Sequence, residues 1–164
     1  MTINIFYLSK DQKKIAKLMT NKHIVKMVLE TAQLLSSAHQ VMSPEPIVGI
    51  YKLTHKNHPC SIWVRESTEN YLWTFKLFEE LANEYKARYN REHKSWLDLH
   101  TQLSKVPVGI TNQKFTEPPQ AMPEQYKHKS TKRAYTNYYI QEKLKTSEDM
   151  ARFYKYAGSG GSNG

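Results

Sequence analysis

NKHIVKMVLETAQLL, residues 21–35, is the most regular amphipathic segment of the sequence. Apolar side chains recur in it at steps of three and four residues, which is the spacing of a helix face that packs on a core. These side chains are Ile24, Met27, Val28, Leu34 and Leu35. We therefore predict a core helix that begins after a cap at Thr20 or Asn21 and ends before Pro44.

A second face of the same helix is polar and carries two ammonium groups, an imidazole and a carboxylate within three turns. The residues are Lys22, His23, Lys26 and Glu30. One interpretation is a functional site at which these groups act together. The other is a solvated surface, on which a Lys26–Glu30 ion pair contributes about 0.2–0.5 kcal/mol.

The rest of the chain is typical of helices joined by loops. Helical spacing predicts further helices over residues 11–19, 60–91, 93–103, 130–145 and 147–152. Prolines and glycines interrupt the pattern in two long loops, residues 43–59 and 105–123, and we expect the second to be ordered. The glycine-rich tail, residues 158–164, is typical of a linker or of a remnant of an added tag. The prediction is an all-α fold in which residues 1–157 form one compact domain.

The positive charge of the chain is concentrated at its two ends. The formal net charge is +9 at pH 7, and residues 1–30 hold six Lys and Arg against two acidic residues. Residues 125–156 hold eight against three, and the segment between them is balanced. If both ends converge on one surface, they form the basic footprint that nucleic acid requires. Otherwise the charge only favours solubility.

Several features bear on the compartment. No apolar run approaches the roughly 18 residues of a membrane span, and the start of the chain lacks the basic region of a signal peptide. The single cysteine, Cys60, cannot form an internal disulfide, so we expect a reducing, cytoplasmic environment in which its thiol is packed and inert.

The closest pair of histidines is His55 and His58, in the first long loop. Zinc takes three or four protein ligands, and this pair has no neighbouring Asp or Glu and only Cys60, whose thiol we expect to be packed, so we expect no metal and no cofactor. The loop instead offers possible phosphate ligands. These candidates are His55, Asn57, His58 and, beyond the loop, Arg65. Motifs of nucleotide-binding loops, serine hydrolases and zinc proteases are absent from the sequence.

Residues 152–156, RFYKY, alternate cations and aromatic rings. Such a segment can stack on bases while it neutralises phosphates, and Tyr154, Lys155 and Tyr156 are its candidates for contact with DNA. The alternative is that the rings dock the last segment onto the core.

Four motifs together resemble one family. They are MTINI at the start, K-H-x-x-K at residues 22–26, MPEQY at 122–126 and FYKYAG at 153–158. In this order they resemble the bacteriophage pyrimidine-dimer DNA glycosylase/AP lyase family known as endonuclease V. That family opens with Met-Thr, carries Arg-Glu-x-x-Arg in its first long helix and ends in a W-Y-K-Y-Y-G-like tail. The resemblance implies a fold of about three main helices and a monomer that acts on double-stranded DNA in the cytoplasm of the phage-infected bacterial host.

The resemblance also implies a reaction. The α-amino group of Thr2, exposed by removal of Met1, attacks C1′ of deoxyribose, and the imine that results permits β-elimination of the 3′ phosphate. An α-amino group with a pKa of about 7.7–8.0 is roughly 10–20% neutral at pH 7, whereas a lysine near 10.4 is less than about 0.1% neutral. The implied activity is excision of damaged or modified pyrimidines followed by cleavage of the strand.

Three positions depart from the family pattern. Lys22 and Lys26 stand where the family has phosphate-binding arginines, so the charge is retained and the bidentate fork is lost. His23 stands where the family has its catalytic Glu, and a histidine with a pKa near 6.5 is an acid–base group instead of a fixed anion. Glu30, two turns along the same helix, is the alternative source of the carboxylate.

These considerations give one assignment and two alternatives. Thr2 is the nucleophile, His23 and Glu30 are the acid–base or stabilising groups, and Lys22 and Lys26 hold phosphate. The first alternative is a non-catalytic nucleic-acid-binding protein that keeps only the basic surface. The second is a nuclease that depends on His23, His55 and His58.

Overall fold

The computed structural model describes residues 3–158, and within them the chain forms seven α-helices, one turn of 3₁₀ helix at Glu124–Tyr126 and no strand. The predicted all-α class is confirmed, but three main helices is too few. The helices are α1 (Gln12–Leu18), α2 (Asn21–Met42), α3 (Pro59–Val64), α4 (Thr68–Tyr89), α5 (Lys94–Leu103), α6 (Thr131–Glu142) and α7 (Ser147–Ala157). None of these helices is both long and apolar enough to cross a membrane. Apart from Gly158, the predicted tail lies outside the described residues.

A polar side chain starts every one of these helices. Each cap accepts a hydrogen bond from a backbone N–H two or three residues ahead, which satisfies a donor that the helix itself leaves unpaired. The caps are Asp11, Thr20, His58, Ser67, His93, Ser130 and Thr146. Thr20 begins α2 as predicted, and the helix ends before Pro44.

The two 22-residue helices, α2 and α4, pack on each other at the centre of the molecule. The predicted apolar face of α2 is confirmed, since Ile24, Met27 and Val28 are fully buried. Helix α5 and helix α3 cover α2, and α1 packs between α4 and α7. The long loop before α6 is ordered as expected, because Phe115 packs its ring against the rings of Trp63 and Trp73.

The single helix predicted over residues 60–91 is wrong, because the chain breaks between α3 and α4. Ser67 is extended and its hydroxyl accepts from the N–H of Asn70. The amide of Asn70 donates to the carbonyl of Trp63 and accepts from the N–H of Thr116 in the long loop. The break is therefore held by a contact across 46 residues, which local spacing does not reveal.

The segment before α1, residues 3–9, is neither helix nor strand and is completely buried. The side chain of Asn4 accepts from the N–H groups of Ile5 and Phe6. Phe6 has φ of 58°, a left-handed conformation that is uncommon for a bulky residue and requires support from its surroundings. Its ring stacks on Tyr138 of α6 and meets the edge of His23 of α2. The N-terminal segment therefore joins α2 to α6.

Arg88 of α4 holds the turn that leads into α2. Its guanidinium pairs with Glu84 at 2.8 Å and donates to the carbonyls of Ala16 and Met19 near the end of α1. Glu84 is buried, and burial alone raises its pKa, but the hydrogen bonds from Arg88 and Lys17 outweigh burial and hold the pKa below its ordinary value. The stabilisation is therefore present at neutral pH and is lost as the pH falls through the folded pKa of this carboxyl.

We expect Arg88→Met to lower the free energy of unfolding by about 3–5 kcal/mol, because it leaves a buried carboxylate without its main partner. Lys86→Met on the same helix is the matched control, since Lys86 is 61% exposed in its ion pair with Glu92 and should cost less than about 1 kcal/mol. Urea unfolding measures both. Equal losses for the two variants would contradict the role given to Arg88.

Candidate functional site

Two adjacent cavities lie where α2, α6 and the N-terminal segment meet. The first, called the Glu30 cavity, has a volume of about 160 Å³ and is lined by Asn4, Phe6, His23, Lys26, Glu30, Tyr138 and Lys143. The second, called the Lys145 cavity, has about 250 Å³ and is lined by Thr20, Lys22, His23, Lys26, Glu142, Lys143, Lys145, Thr146 and Asp149. Both are lined by His23, Lys26 and Lys143, so they are parts of one site.

Glu30 is the carboxylate of this site, and only 5% of its surface is exposed. Burial raises its pKa above the ordinary value, although the positive charges of Lys26, Lys143 and His55 act in the opposite direction. A carboxyl with a raised pKa that lines a cavity is suited to exchange protons near neutral pH. No ion pair joins it to Lys26, so the solvated surface with a Lys26–Glu30 pair is wrong for this residue.

His23 lines the same cavity as Glu30, but its protonation state differs from the one that its sequence position suggests. Burial, followed by the charges of Lys143 and Lys26, lowers its pKa to about 3. Its Nδ1 is 2.9 Å from the hydroxyl oxygen of Tyr139. The sequence favoured a histidine that titrates near pH 6–7, whereas this imidazole is neutral throughout that range. Its polar role at neutral pH is therefore that of a neutral hydrogen-bonding group.

The cations of the site come from both ends of the chain. Lys22 and Lys26 belong to the first basic segment, and Lys143 and Lys145 belong to the second. The ammonium group of Lys143 stands 5.6 Å from the ring centre of Phe6 and 5.8 Å from that of Tyr138. The convergence that the charge distribution suggested is met for these four lysines, which outnumber the acidic groups of the two cavities by one.

The loop of residues 43–59, which carries His55 and His58, lies next to this site, but its residues do not line either cavity. His55 is exposed, has a left-handed φ of 52° and acts on the pKa of Glu30 by its charge. His58 caps α3 through Nδ1, Asn57 is exposed in the turn between the two histidines, and Arg65 donates to the carbonyl of Lys56 at 2.9 Å. His58 and Arg65 thus have structural roles that the sequence did not indicate.

The aromatic residues near the end of the chain belong to the last turns of α7, which extends past the predicted end at residue 152. Tyr154 is 57% exposed, and Lys155 is exposed beside it. Tyr156 is half-buried, with the ammonium group of Lys17 at 5.8 Å from its ring centre. Only the first turn of α7, at Thr146 and Asp149, borders the site.

Thr2, the nucleophile implied by the resemblance, lies outside the described residues. Asn4, two positions later in the chain, lines the Glu30 cavity.

Sequence reasoning missed four residues of the Glu30 cavity: Asn4, Phe6, Tyr138 and Lys143. Lys143 stands in the basic segment near the end of the chain, so charge was a usable signal for it. Phe6 and Tyr138 carried no such signal, because an aromatic residue at an apolar position is typical of a core.

Three further observations concern groups outside this site. A cavity of about 620 Å³ is lined by Gln40 and by loop residues from 43 to 53, none of which lines the two cavities of the site. Among residues 3–158, no group of three or more His, Cys, Asp or Glu side chains is arranged to hold a metal ion. Cys60 is buried, which raises the pKa of its thiol to about 12, so it is an unreactive core residue.

Comparison with known proteins gives one match. Residues 2–98 match the family model described as pyrimidine dimer DNA glycosylase. The match includes His23, Lys26 and Glu30 and ends before Tyr138 and Lys143. No curated protein and no solved structure matches the chain.

Proposed function

Since this chain belongs to the pyrimidine dimer DNA glycosylase family, we propose that it excises damaged or modified pyrimidines from double-stranded DNA and then cleaves the abasic strand as an AP lyase. The N-terminal α-amine, at Thr2 once Met1 is removed, forms an imine with C1′ of the deoxyribose. The imine withdraws electrons, a base removes the 2′ proton, and the 3′ phosphate leaves by β-elimination.

One observation carries this proposal. A buried carboxyl with a raised pKa, Glu30, lines a small cavity that Asn4 also lines, and such a carboxyl is suited to proton transfer. The amine and the carboxylate are the two groups that the imine route requires, and its β-elimination needs no metal.

The residues of the site take the following roles in the proposal. Glu30 accepts the 2′ proton, and His23, which is neutral, stabilises the substrate by hydrogen bonding. Lys22, Lys26, Lys143 and Lys145 bind the phosphates on either side of the lesion. His55 and Asn57, on the exposed loop next to Glu30, and Tyr154 and Lys155, on α7, are proposed to contact DNA farther from the lesion.

Borohydride trapping on a duplex with one abasic site tests the proposal. An imine is reduced to a stable crosslink, so we expect a covalent protein–DNA adduct of one-to-one mass and strand cleavage that persists in EDTA. Binding without either product would favour a non-catalytic DNA-binding protein. Cleavage that EDTA abolishes, with no adduct, would favour the histidine-dependent nuclease. His58 caps α3 through Nδ1, and neither His55 nor His58 lines the cavities that His23 lines, so the geometry gives no support to that nuclease.

We expect binding to duplex DNA to weaken steeply with salt, because the two basic ends of the chain, which include the four lysines of the site, neutralise several phosphates together. For about five or six phosphates, the slope of log K against log salt should be near −5. Lys22→Ala should make the slope shallower by about one unit, and Lys155→Ala should do the same if α7 contacts the DNA.

Lys94→Ala is the control for these variants, since Lys94 pairs with Asp98 on α5 and lies in neither cavity. Its slope should equal that of the unmodified protein. A slope shallower than about −2 in the unmodified protein would contradict the argument that the positive charge of the chain serves to bind DNA.

A further inference from the structure

The hydroxyl group of Tyr139 lies between His23 and the start of α2. Its oxygen is 2.9 Å from Nδ1 of His23 and accepts the backbone N–H of Thr20 at 3.0 Å. The side chain of Thr20 also hydrogen-bonds this hydroxyl, and it acts to lower the pKa of the phenol, as a donor to the phenol oxygen does. The hydroxyl has one proton to donate, and a further acceptor in reach is the sulfur of Met19 at 3.6 Å. A thioether sulfur is a weak acceptor, so the proton goes to Nδ1 of the imidazole.

The protonation of His23 then follows from its surroundings. The ring is neutral, since burial and two lysines lower its pKa to about 3. In a neutral imidazole one nitrogen donates and the other accepts. Because Nδ1 accepts from Tyr139, the ring proton is on Nε2, which has no hydrogen-bond partner among residues 3–158. The ring lines both cavities, and its two nitrogens point in nearly opposite directions.

We propose that Tyr139 is a positioning residue that holds His23 as the neutral Nε2–H tautomer, so that His23 donates a hydrogen bond to an oxygen of the abasic sugar and does not act as a base. This inference rests on the proposed function and assigns one role within it.

The oxygen that needs such a donor is the one bonded to C1′ of the abasic aldehyde. When the amine nitrogen bonds to C1′, the carbonyl electron pair moves onto that oxygen, which becomes negative. A fixed N–H donor stabilises this charge. The proton lost from nitrogen passes to the oxygen, and after a second protonation, for which Glu30 is the nearest carboxyl of the cavity, the oxygen leaves as water.

The charged groups that face His23 set the conditions under which its state must be measured. They are Lys22, Lys26 and Glu30 of α2, Lys143, Lys145 and Glu142 at the end of α6, and Asp149 of α7. Four of the seven are cations, and they disfavour an imidazolium at any pH at which they are charged.

NMR of the ring nitrogens of His23, recorded on the full chain between pH 5 and 8, tests the tautomer directly. We expect the pattern of a protonated Nε2 and an unprotonated Nδ1, unchanged across the range. A protonated Nδ1, or a titration midpoint within the range, would overturn the inference. This measurement needs no DNA, so it is independent of whether the chain cleaves abasic sites.

Two pairs of variants test the role in the reaction. Tyr139→Phe should lower kcat for abasic cleavage about tenfold at unchanged KM and should mix the tautomers. Tyr135→Phe is the matched control, because its buried hydroxyl on the same helix bonds the backbone of Pro119 and Ala121 and does not touch His23. It should leave kcat within about twofold. Equal effects of the two variants would overturn the positioning role.

The second pair remains informative if Tyr139→Phe does not fold. His23→Gln retains an N–H donor and should keep kcat within about fivefold, whereas His23→Ala should lose about tenfold or more. Equal losses of kcat in His23→Gln and His23→Ala would show that His23 does not act by donating a hydrogen bond. If the unmodified protein neither cleaves nor is trapped by borohydride, the proposed function fails, and the tautomer is judged by NMR alone.

Discussion

Acetylation of the N-terminal amine, or extra residues placed before Thr2, should abolish strand cleavage at abasic sites and leave DNA binding nearly unchanged. The reason is the pKa of the nucleophile. An α-amine is neutral in roughly 10–20% of molecules at pH 7, whereas an ordinary lysine is neutral in less than about 0.1%. Acetylation removes the nucleophile, and an extension converts the amine of Thr2 into a peptide nitrogen, which is not nucleophilic. Cleavage of a labelled abasic duplex and its binding affinity are the two measurements.

A C-terminal extension of equal length is the control, and it should change neither cleavage nor binding. The mass of the intact protein must also be measured, because the mechanism needs Met1 to be removed. Full cleavage by an acetylated protein would show that another group is the nucleophile. Lys26 and Lys143 would then be the amines to test, since both line the Glu30 cavity.

Glu30→Gln should lower the rate of abasic cleavage on the order of a hundredfold or more, which is the scale for a positioned general base. The carboxyl must be ionised to accept the 2′ proton. Because burial raises its pKa, the unmodified rate should fall as the pH decreases through that raised value. The remaining rate of Glu30→Gln should lack this acid limb. Single-turnover cleavage across a pH series measures both effects.

Glu142→Gln is the matched control for this substitution. Glu142 lines the adjacent Lys145 cavity and accepts a hydrogen bond from Tyr126. The substitution therefore removes a nearby charge without removing the proposed base. It should change the rate by less than about threefold and keep the acid limb. If Glu30→Gln also stays within threefold, the polar face of α2 has no catalytic role.

Much of the site could be predicted from the sequence of one helix, α2. Periodicity placed Ile24 and Val28 in the core and therefore placed His23, Lys26 and Glu30 together on another face, because residues three and four apart are neighbours on a helix. The periodicity did not indicate which other groups would surround that face. Glu30 was an equal candidate for a solvated ion pair, and it became a buried carboxyl only when the N-terminal segment and α6 covered it.

The sequence by itself determined the helical class, the start of α2 at Thr20, the ordered loop around Phe115 and the basic character of both ends. These properties are local, since caps, spacing, prolines and charge act over a few residues. Only the tertiary structure decided the break at Ser67, the neutral state of His23 and the place of Lys143. Each depends on groups far apart in the chain, such as Tyr139 bonding to His23 across 116 residues, and burial changes a pKa only after those groups have packed together.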